Sequence, residues 1–165
     1  MKKKLIFLLD VDGVMTTGQF FYTSKGKIAK VFGPHDSDGL KIIKKNMKIE
    51  FLTADKRGFS ISKKRITNDM GYKIHLVSEE KRLKFIEKNY GLNNVIYMGD
   101  GIFDAEILKK ARYGIAPRNA RHEAKKNANY VTKNNSAEGA VLDACLNINE
   151  NQIIDKLTDI GLEVE

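Results

Sequence analysis

The chain has 165 residues, 42% hydrophobic and 30% charged, which suits a single soluble domain over 1–165 and excludes a disordered or fibrous chain. Its net charge of +8 comes mostly from scattered lysines without interleaved aromatics, so it reads as a solvated surface that favours anionic substrates, with no nucleic-acid partner. The one cysteine, Cys145, allows no internal disulfide and fits a cytoplasmic setting, and the apolar run after Lys2-Lys3-Lys4 is too short for a signal core or a membrane span.

The first predicted element is a strand, Leu5-Ile6-Phe7-Leu8-Leu9, running straight into Asp10-Val11-Asp12-Gly13. An apolar run without alternation fits a strand buried on both faces, as in a parallel sheet. A hairpin is predicted over 19–32, where Gln19-Phe20-Phe21-Tyr22 and Lys27–Phe32 flank Thr23-Ser24-Lys25-Gly26. Its aromatics call for a partner surface. After Gly33-Pro34, Asp36 or Ser37 caps a helix through about Asn46, with Leu40, Ile43 and Met47 as its buried stripe.

Next comes the strand Ile49-Glu50-Phe51-Leu52 ending at Thr53, then a helix over 58–70 and a strand, Ile74-His75-Leu76-Val77. Ser78 caps a helix whose face is Leu83, Ile86 and Tyr90 and which Gly91 closes. The strand from Val95 ends at Gly99-Asp100. Beyond it the pattern predicts a helix over 103–111, a strand at Tyr113–Ala116, a short helix over 119–126 and an edge strand at 130–132. Helices over 137–146 and around Ile153, Leu157 and Ile160 follow. Strands alternating with helices imply an α/β sandwich of three layers around a parallel sheet, with ligands bound at the carboxyl ends of the strands. The spacings from Asp10 to Thr53 and from Thr53 to Lys81 leave no room for a separate cap domain.

The polar residues fall where that sheet would bind something. Asp10 and Asp12 sit two apart and face one site, and paired carboxylates call for a hard divalent cation such as magnesium. Thr53, Lys81, Asp100 and Asp104 follow, each at or just after a strand end. Asp-x-Asp, then Thr, then Lys, then Gly-Asp-x-x-x-Asp resembles the motif set of the haloacid dehalogenase-like phosphatases, over roughly residues 4–145.

That resemblance implies a Rossmann-like fold and phosphoryl transfer through an aspartyl phosphate. Asp10 would be the nucleophile. Asp12 would protonate the leaving oxygen and then activate water. Asp10, Asp12, through its backbone carbonyl, Asp100 and Asp104 would hold Mg2+, and Thr53 and Lys81 would bind the phosphoryl oxygens.

A narrower resemblance rests on Asp10-Val-Asp-Gly-Val-x-Thr-x-Gly18, Gly26-Lys27, Lys30-Val31-Phe32 and Asp38-Gly39. These look like the capless 3-deoxy-D-manno-octulosonate 8-phosphate phosphatases and the related nonulosonate (sialate) 9-phosphate phosphatases. The resemblance implies a magnesium-dependent homotetramer in which the hairpin shapes a neighbour's active site, acting on the terminal phosphate of a 2-keto-3-deoxy sugar acid. The chain departs from that pattern in three places. Thr53-Ala54-Asp55 replaces Thr-Gly-Arg, so Ala54 lines the substrate site and Lys56 or Arg57 would have to reach the sugar carboxylate. Gly99-Asp100-Gly101 replaces Gly-Asp-Asp. Pro117-Arg118-Asn119-Ala120 replaces a more acidic loop, which makes Arg118 a candidate for that carboxylate. Two further readings stay open: a phosphatase for another small metabolite, and a non-catalytic oligomeric partner of an acylneuraminate cytidylyltransferase.

Overall fold

The computed structural model describes residues 5–150. Its centre is a six-stranded parallel sheet, β1 (Ile6–Asp10), β4 (Lys48–Thr53), β5 (Lys73–Leu76), β6 (Val95–Met98), β7 (Tyr113–Ala116) and β8 (Tyr130–Val131), in the order β5-β4-β1-β6-β7-β8. Strand β1 lies between β4, with Ile6 opposite Lys48, and β6, with Ile6 opposite Val95. All five of its side chains are buried, and the four apolar ones alternate between two cores. Leu5, Phe7 and Leu9 pack with Leu40, Ile43 and Val141 on one face. Ile6 and Leu8 pack with Ile86, Ile107 and Leu108 on the other.

The helices that cover these faces are α1 (Asp36–Ile43) and α6 (Ala140–Glu150) on the first, with α3 (Glu79–Asn89), α4 (Ala105–Lys110) and α5 (His122–Asn127) on the second. A short helix α2 (Phe59–Lys63) continues into a π-helical turn (Lys64–Asp69) that places Ile66 in the first core. This is the expected three-layer α/β sandwich. Among the described residues the β1–β4 connection holds only a hairpin and α1, so no cap domain is present there. The hairpin is β2 (Thr16–Thr23) paired antiparallel with β3 (Gly26–Phe32). The hairpin shows Phe20, Phe21, Tyr22, Ile28 and Val31 to solvent.

Several local expectations are corrected. Neither Asp36 nor Ser37 caps α1, which starts after His35 without a side-chain cap. Asp36 Oδ1 instead accepts from the Val141 and Leu142 backbone N–H groups at 2.9 and 3.2 Å, satisfying the open start of α6 from across the core. Ser78 occupies the cap position of α3 but makes no capping hydrogen bond. β6 stops at Met98, two residues before Asp100, and the helix expected from 103 opens as a 3₁₀ turn, Ile102–Asp104. The C-terminal helix around Ile153 lies outside the described residues.

Candidate active site

Because β1, β4 and β6 are adjacent and parallel, Asp10, Thr53 and the Gly99-Asp100 turn emerge side by side at one sheet edge. A cavity of about 460 Å³ opens there, with Asp10, Asp12, Asp100 and Asp104 on its floor and Lys27 and Asp55 on one wall. Phe20 and Phe103, both about half exposed, stand at its rim.

Carboxylate oxygens of Asp10, Asp100 and Asp104 all lie within 4.8 Å of one another. The close approach needs Gly13: a Cβ there would sit 2.0 Å from Asp100 Oδ2, and its φ of +81° disfavours any side chain. Burial raises the Asp10 carboxyl well above the usual range, and Asp104, Asp100 and Asp12 add to that against Arg82. Burial and Asp104 push Asp100 up to about 6. Three carboxyl groups crowd one buried guanidinium, and the all-oxygen donor set fits a hard divalent cation.

The four acids are not equivalent. Asp104 Oδ1 accepts from Tyr97 Oη at 2.6 Å and Arg82 Nη1 at 3.0 Å, while Oδ2 accepts from the Asp100 and Gly101 N–H groups at 3.1 and 2.9 Å. Each oxygen is thereby engaged, so Asp104 fixes the Asp100 turn and Arg82 from within the same trio. Asp10 and Asp100 keep lone pairs free. The Asp12 carboxyl points elsewhere: Oδ1 lies 2.7 Å from Lys30 Nζ and Oδ2 accepts from Thr53 Oγ1 at 3.3 Å.

Lys81 is exposed on α3 and does not line the cavity. Its neighbour Arg82 does, with a side chain only 4% exposed and Nη1 3.3 Å from Asp10 Oδ1. Burial works against its charge, and Tyr97, Asp10 and Asp104 outweigh burial and hold the guanidinium protonated. Ala54 lines the cavity, whereas Arg57 and Arg118 are exposed and outside it. The loop that carries Arg118 still touches the site, through the Arg121 N–H donating to the Asp100 carbonyl at 2.9 Å.

The hairpin lysines, which carry part of the narrower resemblance, also prove to belong to the site. Lys30 Nζ reaches Asp12, Asp55 Oδ2 at 2.7 Å and Ser62 Oγ at 2.8 Å. Lys27 Nζ lies 2.7 Å from Asp55 Oδ2 and 3.9 Å over the Phe20 ring. The hairpin thus closes over the site of its own chain.

A family model described as haloacid dehalogenase-like hydrolase matches residues 12–144. The chain belongs to the haloacid dehalogenase-like hydrolases. Among curated relatives, this hydrolase is 35% identical over 89 residues to the phosphoglycolate phosphatase of Methanobrevibacter smithii, covering 50% of the chain and 38% of that protein. It is 25% identical over 150 residues to the 3-deoxy-D-manno-octulosonate 8-phosphate phosphatase of Salmonella typhi, covering 85% of the chain and 76% of that protein. The corresponding Moraxella catarrhalis phosphatase, solved with magnesium, phosphate and the sugar acid, superposes with a TM-score of 0.76 at 24% identity over 97% of this chain and 95% of that one. The cobalt-bound Haemophilus influenzae phosphatase gives 0.77 at 22%, over 91% and 90%. Likenesses at that identity establish the fold. Among the described residues, no helix of this hydrolase is long and apolar enough to cross a membrane.

Proposed function

We propose that this hydrolase is a magnesium-dependent phosphatase that removes the terminal phosphate of a 2-keto-3-deoxy sugar acid, an octulosonate 8-phosphate or a nonulosonate 9-phosphate. The observation that carries the reading is the convergence of Asp10, Asp100 and Asp104 at one sheet edge, with Asp12 on the same cavity floor. The relatives acting on octulosonate 8-phosphate support the substrate class.

Asp10 attacks phosphorus. The Asp10 Oδ–P bond forms as the bond to the sugar oxygen breaks, and Asp12 donates its proton to that leaving oxygen. Asp12 then takes a proton from water, which hydrolyses the aspartyl phosphate and frees Asp10. Asp10 and Asp100 would hold the magnesium ion, with Asp104 steering the Asp100 turn. When bound, the ion offsets the charge of the acids and of the phosphoryl oxygens. Thr53 and the N–H groups after Asp10 face the phosphoryl group, and Arg82 takes the cationic place first assigned to the exposed Lys81.

The apolar outer face of the hairpin, with Phe21 63% exposed, supports a homotetramer built through 19–32. A buried lone cysteine supports a cytoplasmic setting.

A second reading, a phosphatase for another small metabolite, is favoured by the higher identity to a phosphoglycolate phosphatase over half of the chain. Phosphate release from octulosonate 8-phosphate, nonulosonate 9-phosphate and 2-phosphoglycolate, with magnesium and with a chelator, tests both. Magnesium-dependent turnover of a sugar-acid phosphate is the expected result. Turnover of phosphoglycolate alone selects the second reading, and no release from any of the three overturns the phosphatase assignment.

A further inference from the structure

The side chain of Lys30 is fully buried, an unusual place for an ammonium on a surface hairpin. An ammonium has three N–H donors, and all three have partners: Asp12 Oδ1, Asp55 Oδ2 and Ser62 Oγ, at 2.7, 2.7 and 2.8 Å. Asp55 is itself fixed, since its Oδ1 accepts from the Gly58 N–H at 3.1 Å and its own N–H donates to Thr53 Oγ1 at 3.1 Å. The space has been kept open for this arrangement. A Cβ on Gly58 would lie 2.2 Å from Asp55 Oδ2, 2.7 Å from Lys30 Cε and 2.8 Å from Lys27 Cδ.

We propose that Lys30, anchored by Asp55, is a positioning residue for proton transfer: its contact at 2.7 Å with Asp12 Oδ1 fixes the orientation of the Asp12 carboxyl toward the leaving group. A buried ammonium with all three donors engaged has one position, and the carboxyl it grips has one orientation. The carboxyl so oriented delivers its proton as the bond from phosphorus to the sugar oxygen breaks and the Asp10–phosphorus bond forms. Asp55 acts through Lys30, and the hairpin supplies part of the acid–base machinery to its own chain. The inference rests on the proposed reading of Asp12 as the acid.

The leaving group provides the test, because a departing alkoxide needs a proton and a nitrophenolate does not. Wild type, Lys30→Met and Asp55→Asn are assayed with magnesium on the alkyl phosphate that wild type turns over fastest and on p-nitrophenyl phosphate. The ratio of the two kcat values is taken on one preparation, so any unfolded fraction cancels. Lys30→Met is expected to lower the alkyl-to-aryl ratio at least tenfold, and Asp55→Asn to lower it severalfold in the same direction. An unchanged ratio in both variants, with the two rates falling in parallel, would overturn the positioning role and leave the phosphatase reading standing. A wild type that releases phosphate from neither substrate removes that reading, and this inference with it.

Discussion

Arg82 and Asp104 form an ion pair from which water is almost shut out: Nη1 lies 3.0 Å from Oδ1, and each side chain is only 4% exposed. A buried pair of this kind contributes little net attraction, but removing one partner strands the other charge. Here the stranded charges would be Asp104 and Asp10 together. Arg82→Met is therefore expected to destabilise the fold by about 3–5 kcal/mol and to depress kcat, as read by thermal unfolding and steady-state kinetics. Lys81→Met serves as the comparison, with a cost to stability under about 0.5 kcal/mol. A larger kinetic loss in Lys81→Met than in Arg82→Met would return the phosphoryl-binding role to Lys81.

Gly13→Ala sets a Cβ against Asp100 Oδ2 at 2.0 Å on a backbone with φ of +81°. The carboxylate must swing out of the trio. Magnesium is expected to raise the melting temperature of the wild type and to do so much less in the variant, with kcat down at least about 100-fold. Calorimetric titration with magnesium and the melting curves check this. An unaltered magnesium response would show that Asp100 is not a ligand.

Glu50 lies on β4 with a side chain 1% exposed, amid Lys48, His75 and Tyr90. Burial opposes its charge, and hydrogen bonds from Lys48, Tyr90 and His75 outweigh burial and lower the carboxyl from 4.5 to about 2. A carboxyl depressed in the folded state stabilises above its unfolded value and loses that contribution as pH falls. The loss therefore runs from about pH 4.5 down to about 2. Glu50→Gln is expected to cost about 2 kcal/mol at neutral pH and to flatten the acid limb of the unfolding profile, followed by urea melts between pH 2 and 7. An acid limb that keeps the wild-type slope would contradict the assignment.

Asp36 holds the first turn of α6 from α1, 105 residues earlier in the chain. Asp36→Ala leaves two N–H groups without their acceptor and should cost about 2–3 kcal/mol, with faster amide exchange over 140–144. Asp36→Asn keeps an acceptor and should cost less, the more so because burial already raises the aspartate above its usual range. Equal losses in the two variants would place the effect in packing.

Phe21, on the outer face of the hairpin, tests the assembly. If the proposed tetramer forms through this face, light scattering is expected to give a tetramer for the wild type and a monomer for Phe21→Glu, with a small effect on stability because the side chain is already 63% exposed. A variant that stays tetrameric would move the interface off this face.

Much of this arrangement was legible in the sequence because its signals are local. Unbroken apolar runs ending in Asp10, Thr53 and Gly99-Asp100 mark buried parallel strands, and parallel strands bring their polar ends to one edge. Arg82 was missed because the stripe on α3 was read from Leu83. Counting back four residues from Ile86 puts Arg82 on the inward face and turns Lys81 away. Lys27 and Lys30 stand in the motif of the narrower resemblance, but nothing local to them shows a role at the site. Their partner Asp55 is remote in sequence, and only the fold of the hairpin onto α2 brings the three together. The Asp36 bond to α6 was invisible for the same reason: an aspartate near a helix start looks like that helix's own cap.

Strand β1 also shapes how the chain must be made. Both of its faces are apolar, and the neighbours that pair its two backbone edges begin at residues 48 and 95. A nascent chain on the ribosome shows an unpaired, sticky strand until β6 has emerged. Truncations anywhere between β1 and residue 98 should therefore aggregate rather than persist as folded fragments.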